Sequence, residues 1–262
     1  MTESTRINVG VRAFAALREA LGFAETTVSV ALGTDIAGLM TRLNELYPRA
    51  DLAAQRYGVA LNRSYAPLTA VLADGDEVAL IPPVSGGAAG EGAAGEGAAG
   101  EGATGEGATG GDTAKLFEIS DRPLSLDDVM RRVVAPDLGG VTVFAGTVRG
   151  VTRRVGDDEI ATDYLEYEAY PEMAEEALAR IAAEAQARWP SVGAVSIVHR
   201  VGRLAVGDLA VVIAVAASHR QDTFDACHYT IDRVKQIAPI WKKEVGPDGS
   251  FWVEGPESSV TE

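Results

Sequence analysis

The chain has 262 residues, 23 Lys and Arg against 38 Asp and Glu, and a formal net charge of -15. A pI near 4.6 argues against a broad nucleic-acid surface or an anionic membrane as partner, and the longest apolar run, residues 209–217, falls far short of a bilayer span. One cysteine, Cys227, forms no internal disulfide, three scattered His make no structural zinc site, and the polar first six residues lack a signal-peptide core; no metal or cofactor is expected, and a reducing cytoplasm is the expected compartment.

Residues 6–14 alternate, with Ile7, Val9 and Val11 on one side, as a strand does. Residues 15–21 read as a helix stopped by Gly22, and 26–30 as a second strand. Thr34 and Asp35 can cap a helix running to Tyr47, with Ile36, Leu39, Met40, Leu43 and Leu46 on its inner side and Pro48 after its end. Residues 58–62 and 77–81 are short strands, the second entered through the turn Asp74-Gly75-Asp76. Strand, helix and late strands, ending in Pro82-Pro83-Val84-Ser85-Gly86-Gly87, follow the order of a ubiquitin-like β-grasp.

Residues 88–111 hold 10 of the 29 glycines and four Glu, in a five-residue repeat (GEGAA, GEGAT) without a large apolar side chain. Such a stretch supports neither helix nor core, and reads as a flexible acidic tether. It divides the chain into expected domains 1–87 and 112–262.

The second half alternates helix and strand. Residues 124–134 read as a helix and 140–147 as a buried strand running into Arg149. Residues 164–170 form a strand, and Pro171 opens a helix to Trp189 with Ala174, Ala177, Leu178, Ile181 and Ala185 on one side. Residues 192–200 and 209–218 are strands, and 223–237 a helix that stops before Pro239. The fold class is α+β.

Two features bear on chemistry. Paired glycines at 86 and 87 either begin a linker or let a chain end thread a narrow channel, and the stiff Pro-Pro-Val before them favours the second reading. The chain has only four Lys, and three of them, Lys235, Lys242 and Lys243, fall within nine residues. Unlike Arg, a desolvated Lys can lose its proton and serve as nucleophile or base; the alternative is a solvated basic helix end. Arg149, His219 and Arg220 at strand ends could join them around an anion such as phosphate. Cys227 reads as a small core residue, Arg153 and Arg154 as solvent-facing loop residues, and His199 and His228 show no partners.

Against this background the first half resembles the small, sulfur-carrier subunit of molybdopterin synthase, through FAALREALG at 14–22, DGDEV at 74–78 and IPPVSGG at 81–87. The second half resembles the large, catalytic subunit, through VFAGTVR at 143–149, LEYEAYPEMAEEAL at 165–178, RWP at 188–190, VHRVGRLAVGD at 198–208, SHR at 218–220, APIWKKE at 238–244 and FWVE at 251–254. The resemblance implies a β-grasp domain, a flexible linker and an α/β hammerhead-type domain. It implies a cytoplasmic sulfurtransferase of molybdenum cofactor biosynthesis that moves two sulfurs from a Gly-Gly thiocarboxylate to cyclic pyranopterin monophosphate. It implies Lys235 and Lys242 as active-site lysines, and Arg149, His219 and Arg220 as substrate-binding groups, with Lys243 and Glu244 in the same matched stretch and Phe144 beside the pocket. Thr147 stands where some relatives have Lys. The implied partners are an adenylating, sulfur-loading enzyme and a second copy of the chain, paired through the second domain.

The fusion departs from the family pattern, because Gly87 is internal and a thiocarboxylate needs a chain end. Cleavage after Gly87 by a processing protease is the expected resolution. The alternatives are a regulatory fusion whose blocked β-grasp domain fills the catalytic pocket, and a catalytic domain served by a separate carrier.

Overall fold

The structure, a computed structural model, describes residues 5–84, 115–153 and 159–253. In the N-terminal half, β1 (Arg6–Ala13), α1 (Ala15–Leu21), β2 (Glu25–Ala31), α2 (Ile36–Leu46), β3 (Gly58–Leu61), β4 (Ser64–Tyr65) and β5 (Glu77–Ile81) form a five-stranded sheet in the order β2-β1-β5-β3-β4. β1 and β5 run parallel, and α2 covers the inner side, burying Ile36, Leu39 and Leu43 against Val9, Val11, Val78 and Leu80. The local signals act as expected. Asp35 accepts the Gly38 amide at 2.8 Å and starts α2, and Gly22 takes φ 78° to stop α1, a backbone region that favours glycine. This is the expected β-grasp. Ser85, Gly86 and Gly87 lie outside the described residues, as does the repeat.

The second half contains β6 (Phe117–Ser120), α3 (Leu126–Arg131), β7 (Gly140–Thr147), β8 (Val151–Arg153), β9 (Glu159–Ala161), β10 (Tyr164–Ala169), α4 (Pro171–Arg188), β11 (Val192–Arg200), β12 (Gly202–Ala205), β13 (Leu209–Ala217), α5 (Arg220–Ile237), β14 (Ile240–Gly246) and β15 (Gly249–Trp252). One sheet has the order β6-β11-β13-β7, the other β12-β10-β14-β15. β13 is apolar on both sides because both are covered. Val211, Ile213 and Val215 meet α4 and α5, while Val212, Ala214 and Ala216 meet Val129 and Val133 beside α3.

Several sequence expectations need correction. β7 is not a buried strand: it pairs only with β13 among the described residues, and Val141, Ala145 and Thr147 are exposed. An apolar run does not say which strand receives the sheet edge. α3 spans six residues rather than eleven, opened by Ser125, whose hydroxyl accepts the Asp128 amide. α5 begins at Arg220, three residues early, so His219 and Arg220 sit at a helix start. Arg153 belongs to strand β8.

Candidate active site and carrier docking face

β14 is the central strand of the site. Successive side chains leave a strand on opposite faces, so Trp241 and Lys243 point one way and Ile240, Lys242 and Glu244 the other. The first face meets the N-terminal half. The Trp241 ring lies 5.0 Å from that of Phe14, which also stacks on Tyr170 at 5.0 Å. The Trp241 indole Nε1–H donates to the Pro82 carbonyl at 3.0 Å. Ile81, Ala15 and Met173 complete this apolar cluster.

Charges surround it. Lys243 Nζ lies 2.6 Å from Glu19, and Arg18 lies 3.1 Å from Glu168. Arg12 stands over the Tyr170 ring at 4.4 Å, 3.6 Å from Glu77 and 3.7 Å from Glu172. Tyr170 donates its hydroxyl to Glu77; burial and that bond push the phenol up to about 12. Burial also raises the Glu168 carboxyl, with Arg18 acting against it. The sequence reading missed Glu19, Arg18, Glu168 and the aromatic triplet. They stand inside the family-matched strings, but nothing local marks them as contacts.

The other face of β14 looks into the second half's own core. Lys242 is half-buried, with Tyr167 of β10 directly across the ladder. The Tyr167 ring meets the edge of buried His199 at 4.9 Å. His199 Nδ1 lies 2.9 Å from the Arg200 carbonyl, which fixes the proton on Nδ1, and burial lowers the imidazole to about 4. His199 therefore has partners that its sequence context did not reveal, and so does His228, 3.3 Å from Asp232. Glu244 is 2% exposed and accepts a hydrogen bond from Thr162, an interior position.

The remaining candidates divide into two sets. Lys235 is exposed in the last turn of α5, whereas His219 and Arg220 are exposed at its start. Fifteen residues of helix separate Arg220 from Lys235 by about 22 Å. Gly140 adjoins Arg220 so closely that an added Cβ would lie 3.2 Å from the Arg220 Cα, and β7 runs from there to Thr147, leaving exposed Arg149 beyond the far end. One chain thus brings Arg149 toward the Lys235 end and holds His219 and Arg220 at the other. Between them Phe144, Phe224, Cys227 and Ile231 line a cavity of about 260 Å³, and Lys235 follows Ile231 by one helical turn. Burial pushes the Cys227 thiol up to about 11, which suits a core residue. Among the described residues no group of three or more His, Cys, Asp or Glu could hold a metal ion, and no helix is long and apolar enough to cross a membrane.

Comparison with known proteins matches both halves. The family model described as "MoaE protein" covers residues 119–237, and that of the "ThiS family" covers residues 11–87. The chain is 48% identical over 141 residues to the molybdopterin synthase catalytic subunit of Halalkalibacterium halodurans, covering 54% of this chain and 86% of that protein. It is 45% identical over 139 residues to that of Staphylococcus carnosus, covering 53% and 89%. A crystal structure of molybdopterin synthase from Staphylococcus aureus is 45% identical, covers 53% of this chain and 97% of that chain, and superposes with a TM-score of 0.49. The chain belongs to the family of molybdopterin synthase catalytic subunits and carries a ThiS-type sulfur-carrier domain fused in front of the catalytic one.

Proposed function

We propose that this chain makes molybdopterin by two successive sulfur transfers to cyclic pyranopterin monophosphate, each from a separately loaded Gly87 thiocarboxylate and each returning Gly87, with oxygen from water, as its carboxylate. In this reading residues 1–87 are the carrier, 88–111 the tether and 112–262 the catalytic domain. The observation that carries it is the grip of Trp241 on the Pro82 carbonyl. The strand that bears Lys242 also holds the root of the carrier tail. An extended chain gains at most about 3.5 Å per residue, so Gly87 stays within about 18 Å of that carbonyl.

Lys242 and Lys235 serve as acid/base groups or as anchors for the thiocarboxylate carbonyl, and Arg149, His219 and Arg220 bind the phosphate and pterin. A second copy supplies His219 and Arg220 from its own α5, because one chain holds them about 22 Å along the helix from Lys235. Cleavage after Gly87 frees the carboxylate that a sulfur-loading enzyme adenylates. Protein from the native host should contain a fragment ending at Gly87. Given the pterin and a loading system, it should form molybdopterin. No product from either the processed chain or its two separated halves overturns the reading.

The occupied docking face favours one other reading. In an uncut chain Phe14 and Ile81 are already buried against Tyr170, Met173 and Trp241, so the carrier would act as a plug. Exclusively uncut chain that lacks synthase activity in the native host would establish that regulator.

A further inference from the structure

Lys243 follows Lys242 in sequence and leaves β14 by the opposite face, where it meets Glu19. It belongs to a larger pattern. The catalytic side presents Glu172, Glu168 and Lys243; the carrier side answers with Arg12, Arg18 and Glu19. We propose that these three crossed pairs select the carrier, so that the catalytic domain accepts a β-grasp domain with cations at the positions of Arg12 and Arg18 and an acid at that of Glu19, and rejects β-grasp carriers that lack them. The partner is the carrier domain of this chain.

The apolar cluster of Phe14, Tyr170 and Trp241 gives attraction but little discrimination, since other apolar carriers could fill it. The carboxylates supply the rejection. The Oε2 atoms of Glu168 and Glu172 are buried and receive no hydrogen bond from the described residues; Arg18 and Arg12 stand beside them as counter-charges, and the Ala15 amide adds a hydrogen bond to the Glu168 carboxyl. A carrier without those cations would leave part-buried Glu168 without its counter-charge, a loss that costs more than the pair contributes, and Glu172, whose side chain is 39% exposed, without its partner at a smaller cost. Burial raises the Glu168 carboxyl even with Arg18 beside it, so the neutralisation is incomplete already. The order of signs also sets register. Arg18 and Glu19 are neighbours on α1, and a carrier shifted by one position would set Glu19 against Glu168. Lys243 is on this account a docking residue rather than a substrate contact.

Hydrogen exchange in the full-length chain tests this, read at amides of residues 14–21 and 168–178. Arg18→Glu should raise exchange there by tenfold or more, and Arg18→Glu with Glu168→Arg should return it to within about twofold of the parent. Amides of Leu43 and Ile213, in the two cores, should stay protected and show that both domains remain folded. If they do not, Arg18→Gln with and without Glu168→Gln gives the same comparison without reversed charge, and the pair should exchange more slowly than the single variant. A single variant without effect, or a pair no better than the single, overturns the proposal. The swap of Glu19 and Lys243 adds a second readout, resting on the synthase reading. Glu19→Lys and Lys243→Glu should each lower product formation, and the double variant should recover it. A substrate-binding lysine would not be rescued from the carrier side, so failure of the rescue also overturns the proposal. If no variant and no parent makes molybdopterin, the synthase reading fails while the exchange result still decides the docking pattern.

Discussion

The two faces of β14 carry similar residue types in different surroundings. Trp241 and Lys243 meet another domain through an aromatic stack and an ion pair, whereas Lys242 and Glu244 face their own domain's core across from Tyr167 and Leu165. Lys242 and Lys243 are chemically identical neighbours. What separates them is strand parity, which turns one toward the carrier and the other toward the proposed chemistry. A strand shared this way sets the docked carrier and Lys242, the proposed acid/base group, on opposite faces of one element.

The sharpest way to break this division is at Lys242. Lys242→Ala should lower molybdopterin formation by about 10²–10⁴-fold, the span a positioned acid/base group supplies, and should leave exchange at the docking face unchanged. Near-normal turnover would remove Lys242 from the proposed site. A loss of docking would show that the two faces are not separate.

The opposite face gives the converse. Trp241→Ala removes the stack on Phe14 and the bond to Pro82, and the truncation should cost about 3–5 kcal/mol, divided between docking and the local core. Exchange at residues 14–21 should rise steeply. Turnover should fall through weaker carrier binding, so that excess carrier supplied in trans restores part of it. Docking that survives the truncation would move the anchor from Trp241 to the charged rim.

The features that were legible in the sequence are local ones. Asp35 before an apolar stripe, Gly22 after a short helix and Pro171 at a helix start each state their meaning within a few residues, and the elements formed where those signals stand. The site was legible only as a set of residue types. Its division was not, because it depends on parity and direction. Nothing near Lys243 says which face it takes, since Ile240 and Trp241 are both large and apolar and both faces are covered. His219, Arg220 and Lys235 looked like one anion site because they are positive groups, the first two expected at a strand end, in an otherwise acidic domain. An 18-residue helix, running back along β13 and alongside β7 in that strand's own direction, separates them. The edge position of β7 and the Tyr167–His199 contact are set by sheet order, which links residues far apart in the chain.

The smallest expected effect separates the faces by acid. His199 is buried behind Tyr167 and lowered by burial to about 4, against an ordinary value of 6.5. The unfolded chain therefore binds more protons between those values, and the second domain should lose stability as pH falls from about 6.5 to about 4, by roughly 1–3 kcal/mol in all. Glu168 on the docking face has the opposite sign. Its carboxyl is raised in the docked state, so its protonation favours docking and partly offsets the loss. Thermal melts of the parent and of His199→Asn across this range isolate the histidine. The variant is expected to be less stable at neutral pH, having lost the ring contact, and to show a shallower decline toward acid. Parallel declines would mean that His199 is not the group that acid titrates, and the acid sensitivity would then belong to carboxylates such as Glu184, whose bonds from Arg233 and Tyr229 hold its carboxyl below the usual range.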